Sequence, residues 1–163
     1  MKDRAAFLTL IAELEGDYRE VFRVREHNLR AWGRIEAGAD DVVDYGALAF
    51  TIHTLYGVLE NYFLRISKFF ENNLPTDGWH KALVERMALD IEGLRPALLS
   101  DGEGKEDLLS VLKFRHKFRH LYGEDLDPEQ TSRVQMHLTG FLELFPEIHR
   151  TYCKKLKQIG EEL

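Results

Sequence analysis

The chain has 163 residues with a net formal charge of −6, 44% hydrophobic and 31% charged side chains. That is long enough to bury a real core in one domain and too apolar for disorder, and its acidic balance excludes a broad electrostatic coat on nucleic acid. Cys153 is the only cysteine, which excludes an internal disulfide.

The N-terminal apolar run from Ala5 to Ala12 is interrupted by Glu13 and Glu15. It is too short and too charged for a secretory signal, and no stretch reads as a membrane span, so a cytoplasmic protein is expected. Apolar residues at three- and four-residue steps predict a first helix from about Asp3 to Ile35, through Phe7, Leu10, Leu14, Tyr18, Val21 and Trp32. Gly38, Asp40 and Asp41 break it. A second helix is predicted from about Asp44 to Asn72, carrying Leu48, Ile52, Leu55, Leu59, Phe63 and Ile66. The composition around Pro75 and Gly78 signals a turn. A shorter helix follows, from Trp79 to Ile91, and Pro96 with Gly102 and Gly104 mark another irregular connection.

A fourth helix is predicted from about Lys105 to Tyr122, with Gly123 as its C-terminal cap. Asp127-Pro128 has the form of an N-cap with proline in the first turn, opening a last long helix with a kink at Pro146. No strand-like alternation and no internal repeat stand out. The expected architecture is therefore all-α, a bundle of five helices forming a single domain over residues 1–163.

The chemistry concentrates on the fourth helix. Residues 113–120 read Lys-Phe-Arg-His-Lys-Phe-Arg-His, six cationic or titratable side chains in one short stretch of an acidic chain. Arg115 and His120 have four residues between them and Tyr122 follows, giving Arg-x4-His-x-Tyr; no other Arg is followed by a His after four to six residues. A fixed positive charge, imidazoles that exchange protons near neutral pH and a phenol suit reaction at a phosphodiester. On an ideal helix Arg115 and His120 stand about 140° apart. They converge only by the reach of the Arg stem, by distortion at the helix end, across a groove, or by pairing with a second copy.

Such a site cleaves RNA without metal if a base takes the ribose 2′-OH proton, that oxygen attacks phosphorus, and an acid protonates the departing 5′-oxygen. His120 is the natural proton carrier and Arg115 the charge stabiliser. His116 or a second copy's imidazole serves the other proton role, while His116, Arg119 and Glu60 support phosphate binding. RNA rather than DNA is the expected substrate, since DNA has no 2′-OH. The competing reading is a solvated basic face at the negative end of a helix dipole.

The stretch from about Leu55 to Asp127 resembles the HEPN-fold proteins, specifically the HepT-like ribonuclease toxins. The matching features are Leu55-Tyr56-Gly57-Val58-Leu59-Glu60, then Leu74-Pro75, Trp79-His80, Arg95-Pro96 and Leu99-Ser100, and finally Phe114-Arg115-His116 through His120-Leu121-Tyr122 to Leu126-Asp127. The resemblance implies a homodimer whose two motifs line one cleft and cut RNA without metal or cofactor. Arg115 and His120 would be its catalytic pair. It also implies that Tyr122 is a target for adenylylation by a small nucleotidyltransferase antitoxin; an added AMP would place a bulky anion beside the cationic pocket. A non-catalytic helical module binding nucleotide or a partner protein is the alternative on the same fold.

His53 and Glu60 lie on one face of the second helix, and Glu60 either holds Arg115 in place or caps a surface ion pair, a structural role rather than a catalytic one. Tyr56 suits core and cleft equally, and packing is the expected role of Trp79, which precedes His80. His116 and His120 have the spacing of a zinc pair, but Lys117 stands where a metalloprotease has Glu, so no metal site is expected.

Overall fold

The computed structural model describes residues 2–71, 73–100, 102–121 and 126–163. Among them the chain forms five helices, and the only strand-like feature is an isolated bridge between Ile91 and Arg95. Helix α1 spans Arg4–Glu36, α2 Val42–Phe70, α3 Trp79–Met87, α4 Glu103–Arg119 and α5 Pro128–Glu161. The all-α bundle expected from periodicity is what the chain adopts.

Caps explain where the long helices begin. The Asp3 carboxylate accepts the Ala6 N–H at 2.9 Å, and Asp41 accepts the Val43 N–H at 2.8 Å. Asp127 accepts the N–H groups of Glu129 and Gln130 at 3.0 and 3.4 Å. Each carboxylate satisfies amides that have no partner within the helix. The Asp41 cap starts α2 at Val42, two residues before the predicted Asp44. Helix α5 runs on through Pro146, which supplies no N–H to the carbonyl one turn before it.

The buried stripe of α2, including Leu48, Ile52, Leu55, Leu59, Phe63 and Ile66, lies at the centre of the core. Burying each such side chain contributes roughly 1.5–3 kcal/mol. Helix α1 packs chiefly along α2 and α5, while α4 lies on α5 and reaches across to α2. A reciprocal amide pair, Asn28 with Gln135 at 2.8 and 2.9 Å, joins α1 to α5 inside the core. Against the expectation that no stretch reads as a membrane span, α2 is long and apolar enough to cross a bilayer by length and composition. Its buried residues serve the bundle core.

Two helix ends differ from expectation. Helix α3 stops at Met87 rather than Ile91 because its last carbonyls are taken from outside. The Arg95 guanidinium, 1% exposed, donates to the carbonyl of Arg86 at 2.7 Å, and the amides of Leu98 and Leu99 both donate to Met87. Glu71 pairs with Arg95 at 2.6 Å, so the buried cation is compensated. Helix α4 stops at Arg119, with His120 as its C-cap instead of Gly123; residue 123 lies outside the described residues. His120 takes φ −110°, ψ 13°, which removes it from the ideal helical register that set it about 140° from Arg115.

Candidate active site

The i, i+4 spacing of Tyr56 and Glu60 places them on the face of α2 that meets α3 and α4. Glu60 is 5% exposed, and a carboxylate so buried needs a compensating partner. It has two. Nδ1 of His80, on the first turn of α3, donates to Oε2 at 2.7 Å, and Arg115 Nη1 on α4 stands 3.4 Å from Oε1. The His80 contact is the tight one; the Arg115 contact is at the outer limit of a hydrogen bond. Glu60 thus ties three helices together through one carboxylate.

Arg115 is held from below as well. Its guanidinium carbon lies 5.5 Å from the centroid of Tyr56, within cation–π range. The Arg115 side chain is 15% exposed, so an edge of the cation still reaches solvent. Its Nε, the Tyr56 hydroxyl and His53 Nδ1 are all buried without a hydrogen-bond partner among the described residues. The Tyr56 phenol is pushed up by burial and then by the Glu60 charge. His53, one turn earlier on α2, packs its ring 5.8 Å from Phe118. Burial first, and then the charges of Arg115 and Arg119, push its imidazole below the ordinary value, which keeps it neutral at neutral pH.

Beyond Arg115 the helix turns outward. His116 and Arg119 are exposed, and so is His120 at the C-cap. The rings of His116 and His120 meet edge to face with centroids 4.7 Å apart. Lys117 donates to Gln130 on α5 at 2.9 Å, fixing that side of the helix end. The negative end of the α4 dipole lies among these cations, where positive charge is favoured.

Of the residues singled out by sequence, the fold therefore joins Glu60 to Arg115 and His116 to His120, and leaves Arg119 at the surface. Tyr56 is buried beneath the Arg115 guanidinium, so it serves core and site together. Tyr122 lies outside the described residues. Sequence reasoning missed the tie from His80 to Glu60: the two are 20 positions apart, on helices whose packing no local spacing reveals.

A second titratable cluster lies on the other face of α2. Tyr62 and His149 Nδ1 are hydrogen-bonded at 2.9 Å, and His149 Nε2 pairs with Glu15 at 3.0 Å. Tyr18 stacks on the imidazole with centroids 4.2 Å apart. Cys153 Sγ lies 3.7 Å from Nδ1, and burial with the nearby Glu15 charge pushes its thiol up to about 11. Glu15, His149 and Cys153 offer ligand atoms within 4.8 Å of one another, a grouping of metal-binding residue types that sequence spacing did not flag.

A family model for HepT-like proteins matches residues 47–156, which takes in α2 from its second turn, α3, α4 and most of α5. The chain belongs to the HepT-like family. Comparisons with curated proteins and with solved structures find no match. The HepT-like group, within the HEPN superfamily, is broadly associated with RNA cleavage. In this HepT-like chain the matched range contains every residue of the Glu60–Arg115–His120 region, while α1 precedes it and packs along its first helix.

Proposed function

We propose that this HepT-like protein is a cytoplasmic, metal-independent endoribonuclease, the toxin of a toxin–antitoxin pair, working as a homodimer. The observation that carries the reading is that one helix holds both a braced, partly exposed Arg115 guanidinium and, at its end, two touching surface imidazoles. These groups supply a fixed cation and two proton carriers, which is the complement that transesterification at phosphorus requires.

In the proposed reaction an imidazole, from His116 or from the second copy, removes the ribose 2′-OH proton. The 2′-oxygen forms a bond to the adjacent phosphorus while the bond from phosphorus to the 5′-oxygen breaks. Arg115 neutralises the charge that collects on the non-bridging oxygens, and His120 protonates the departing 5′-oxygen. The products are a 2′,3′-cyclic phosphate and a 5′-hydroxyl. Arg119 adds local positive charge for the strand, and Glu60 acts by holding Arg115 rather than by touching phosphate. Tyr122 is the proposed adenylylation point for a nucleotidyltransferase antitoxin, where an AMP group would compete with RNA for the same cations.

A second reading has its own support. Arg115 is largely buried and already paired with Glu60, an arrangement that also suits a non-catalytic module binding nucleotide or a partner protein. Purified protein incubated with total RNA in EDTA separates the two. The nuclease reading expects new fragments ending in 2′,3′-cyclic phosphate and their loss in His120→Ala. Intact RNA, or fragments that persist unchanged in His120→Ala, supports the binding module. Coexpression with a nucleotidyltransferase antitoxin and intact-mass measurement tests the control point: the added AMP mass should vanish in Tyr122→Phe.

A further inference from the structure

Beside the Glu60–His80 contact, between α3 and the middle of α4, lies a groove of about 490 Å³. That volume is in the range of small-molecule sites, ~300–1,000 Å³. Leu109 and Leu112 form an apolar lining. His80 contributes a flat wall whose ring is stacked on Trp79 with centroids 3.7 Å apart. Gly78, His116 and the exposed Lys81 and Lys113 complete the lining, with Lys81 also 3.8 Å from Glu85 on the same helix. His116 in turn touches His120, so the groove opens onto the proposed reaction centre.

An apolar lining, an imidazole face backed by an indole, and two lysines on an otherwise acidic chain fit one kind of object. It is flat and aromatic, and it carries a phosphate. We propose that this groove is a base-binding subsite, taking one unstacked nucleobase of single-stranded RNA against the His80 ring, with its phosphate between Lys81 and Lys113. The identity of the strand rests on the nuclease reading above; the chemistry of the groove does not. Bases in a duplex are already stacked and cannot enter, so the subsite selects loops and ends. Glu60 gives the subsite a further property. The same carboxylate holds His80 and Arg115, so it sets the base wall and the phosphate-binding cation in one geometry. A base seated on His80 thereby presents the neighbouring phosphate toward Arg115.

The test uses full-length protein and a 2′-O-methyl RNA oligomer, which has no free 2′-OH and cannot be cut by the proposed chemistry. A matched series carries one abasic residue at successive positions. Wild type is expected to lose about tenfold in affinity at one position of the series, the scale of a single stacked base. Leu112→Asp should erase that difference. The exposed Lys81→Glu and Lys113→Glu pair should weaken every oligomer and reduce the salt dependence, by a slope of about 0.7 for each phosphate no longer neutralised. If Leu112→Asp fails to fold by circular dichroism, the lysine pair and quenching of Trp79 emission in a Trp32→Phe background decide the matter. Equal affinity for intact and abasic oligomers at every position overturns the subsite. So does a shift from dimer to monomer on lysine reversal with oligomer binding unchanged, which would make the groove an interface between copies. Cleavage of ordinary RNA without an abasic effect removes the subsite and spares the nuclease; an abasic effect without cleavage does the reverse.

Discussion

Helix α2 carries a buried polar cluster on each of two faces, two residues apart in sequence, and they are built differently. On one face Tyr62 bonds His149, His149 bonds Glu15, and aromatic rings close around the imidazole. Both ring nitrogens are engaged. On the other face Glu60 is divided between His80 and Arg115, and Arg115 Nε, Tyr56 Oη and His53 Nδ1 are buried with no partner among the described residues. A satisfied network stabilises one arrangement, whereas groups held near one another with bonding capacity to spare suit a site that must accept something else. Both faces contain a histidine and a carboxylate. Only the second lies against the cationic end of α4.

The largest effects should fall on the Glu60 face. Removing the proposed proton carrier or the proposed phosphate-binding cation, by His120→Ala or Arg115→Ala, should lower kcat for RNA cleavage by about 10²–10⁴-fold with the thermal transition of the His120 variant nearly unchanged. Glu60→Gln keeps the volume and an acceptor but removes the charge that places Arg115. It should reduce kcat by up to about 10²-fold, as expected when a positioning contact is loosened. Retained activity in Glu60→Gln would make that carboxylate a packing feature only, and the contrast between the faces would shrink.

On the satisfied face the readout should be stability. Tyr62→Phe leaves the buried His149 Nδ1 with only the weak Cys153 thiol contact and should cost about 1–3 kcal/mol in denaturant unfolding, while cleavage per folded molecule stays near wild type. A change in cleavage of more than a few-fold would link the two faces.

The smallest expected effect is a pH dependence. His53 titrates lower in the folded chain than in the unfolded one, so the unfolded state binds more protons as pH falls below about 6.5. The stability associated with neutral His53 is complete above that pH and is lost as pH falls toward the folded value. Wild type should therefore lose more stability than His53→Asn between pH 7.5 and 5.5. Equal losses would remove His53 from the account of this face.

Much of the fold was legible because helices announce themselves through periodicity and caps. Asp127 caps α5 as its sequence position predicts, and the apolar stripe of α2 is the stripe that is buried. The ends of α3 and α4 were not legible. Arg95 terminates α3 from the connection that follows it, and the break at His120 comes before the glycine that chemistry favours as a cap. For the site, the Arg115–His120 spacing was readable, and holding Arg115 was one of two roles that the sequence left open for Glu60. His80 was not readable, since its role exists only once α3 folds against α2. The Glu15–His149–Cys153 grouping was hidden for the same reason: α1 and α5 must pack before those side chains meet.

The most direct measurement compares wild type, Arg115→Ala and Tyr62→Phe on one RNA preparation in EDTA, with fragment ends identified chemically. Wild type and Tyr62→Phe should give 2′,3′-cyclic phosphate ends at similar rates, and Arg115→Ala should leave the RNA intact. Cleavage that survives loss of Arg115, or its absence from folded wild-type protein, would contradict the claim that this face of α2 is built around a phosphate.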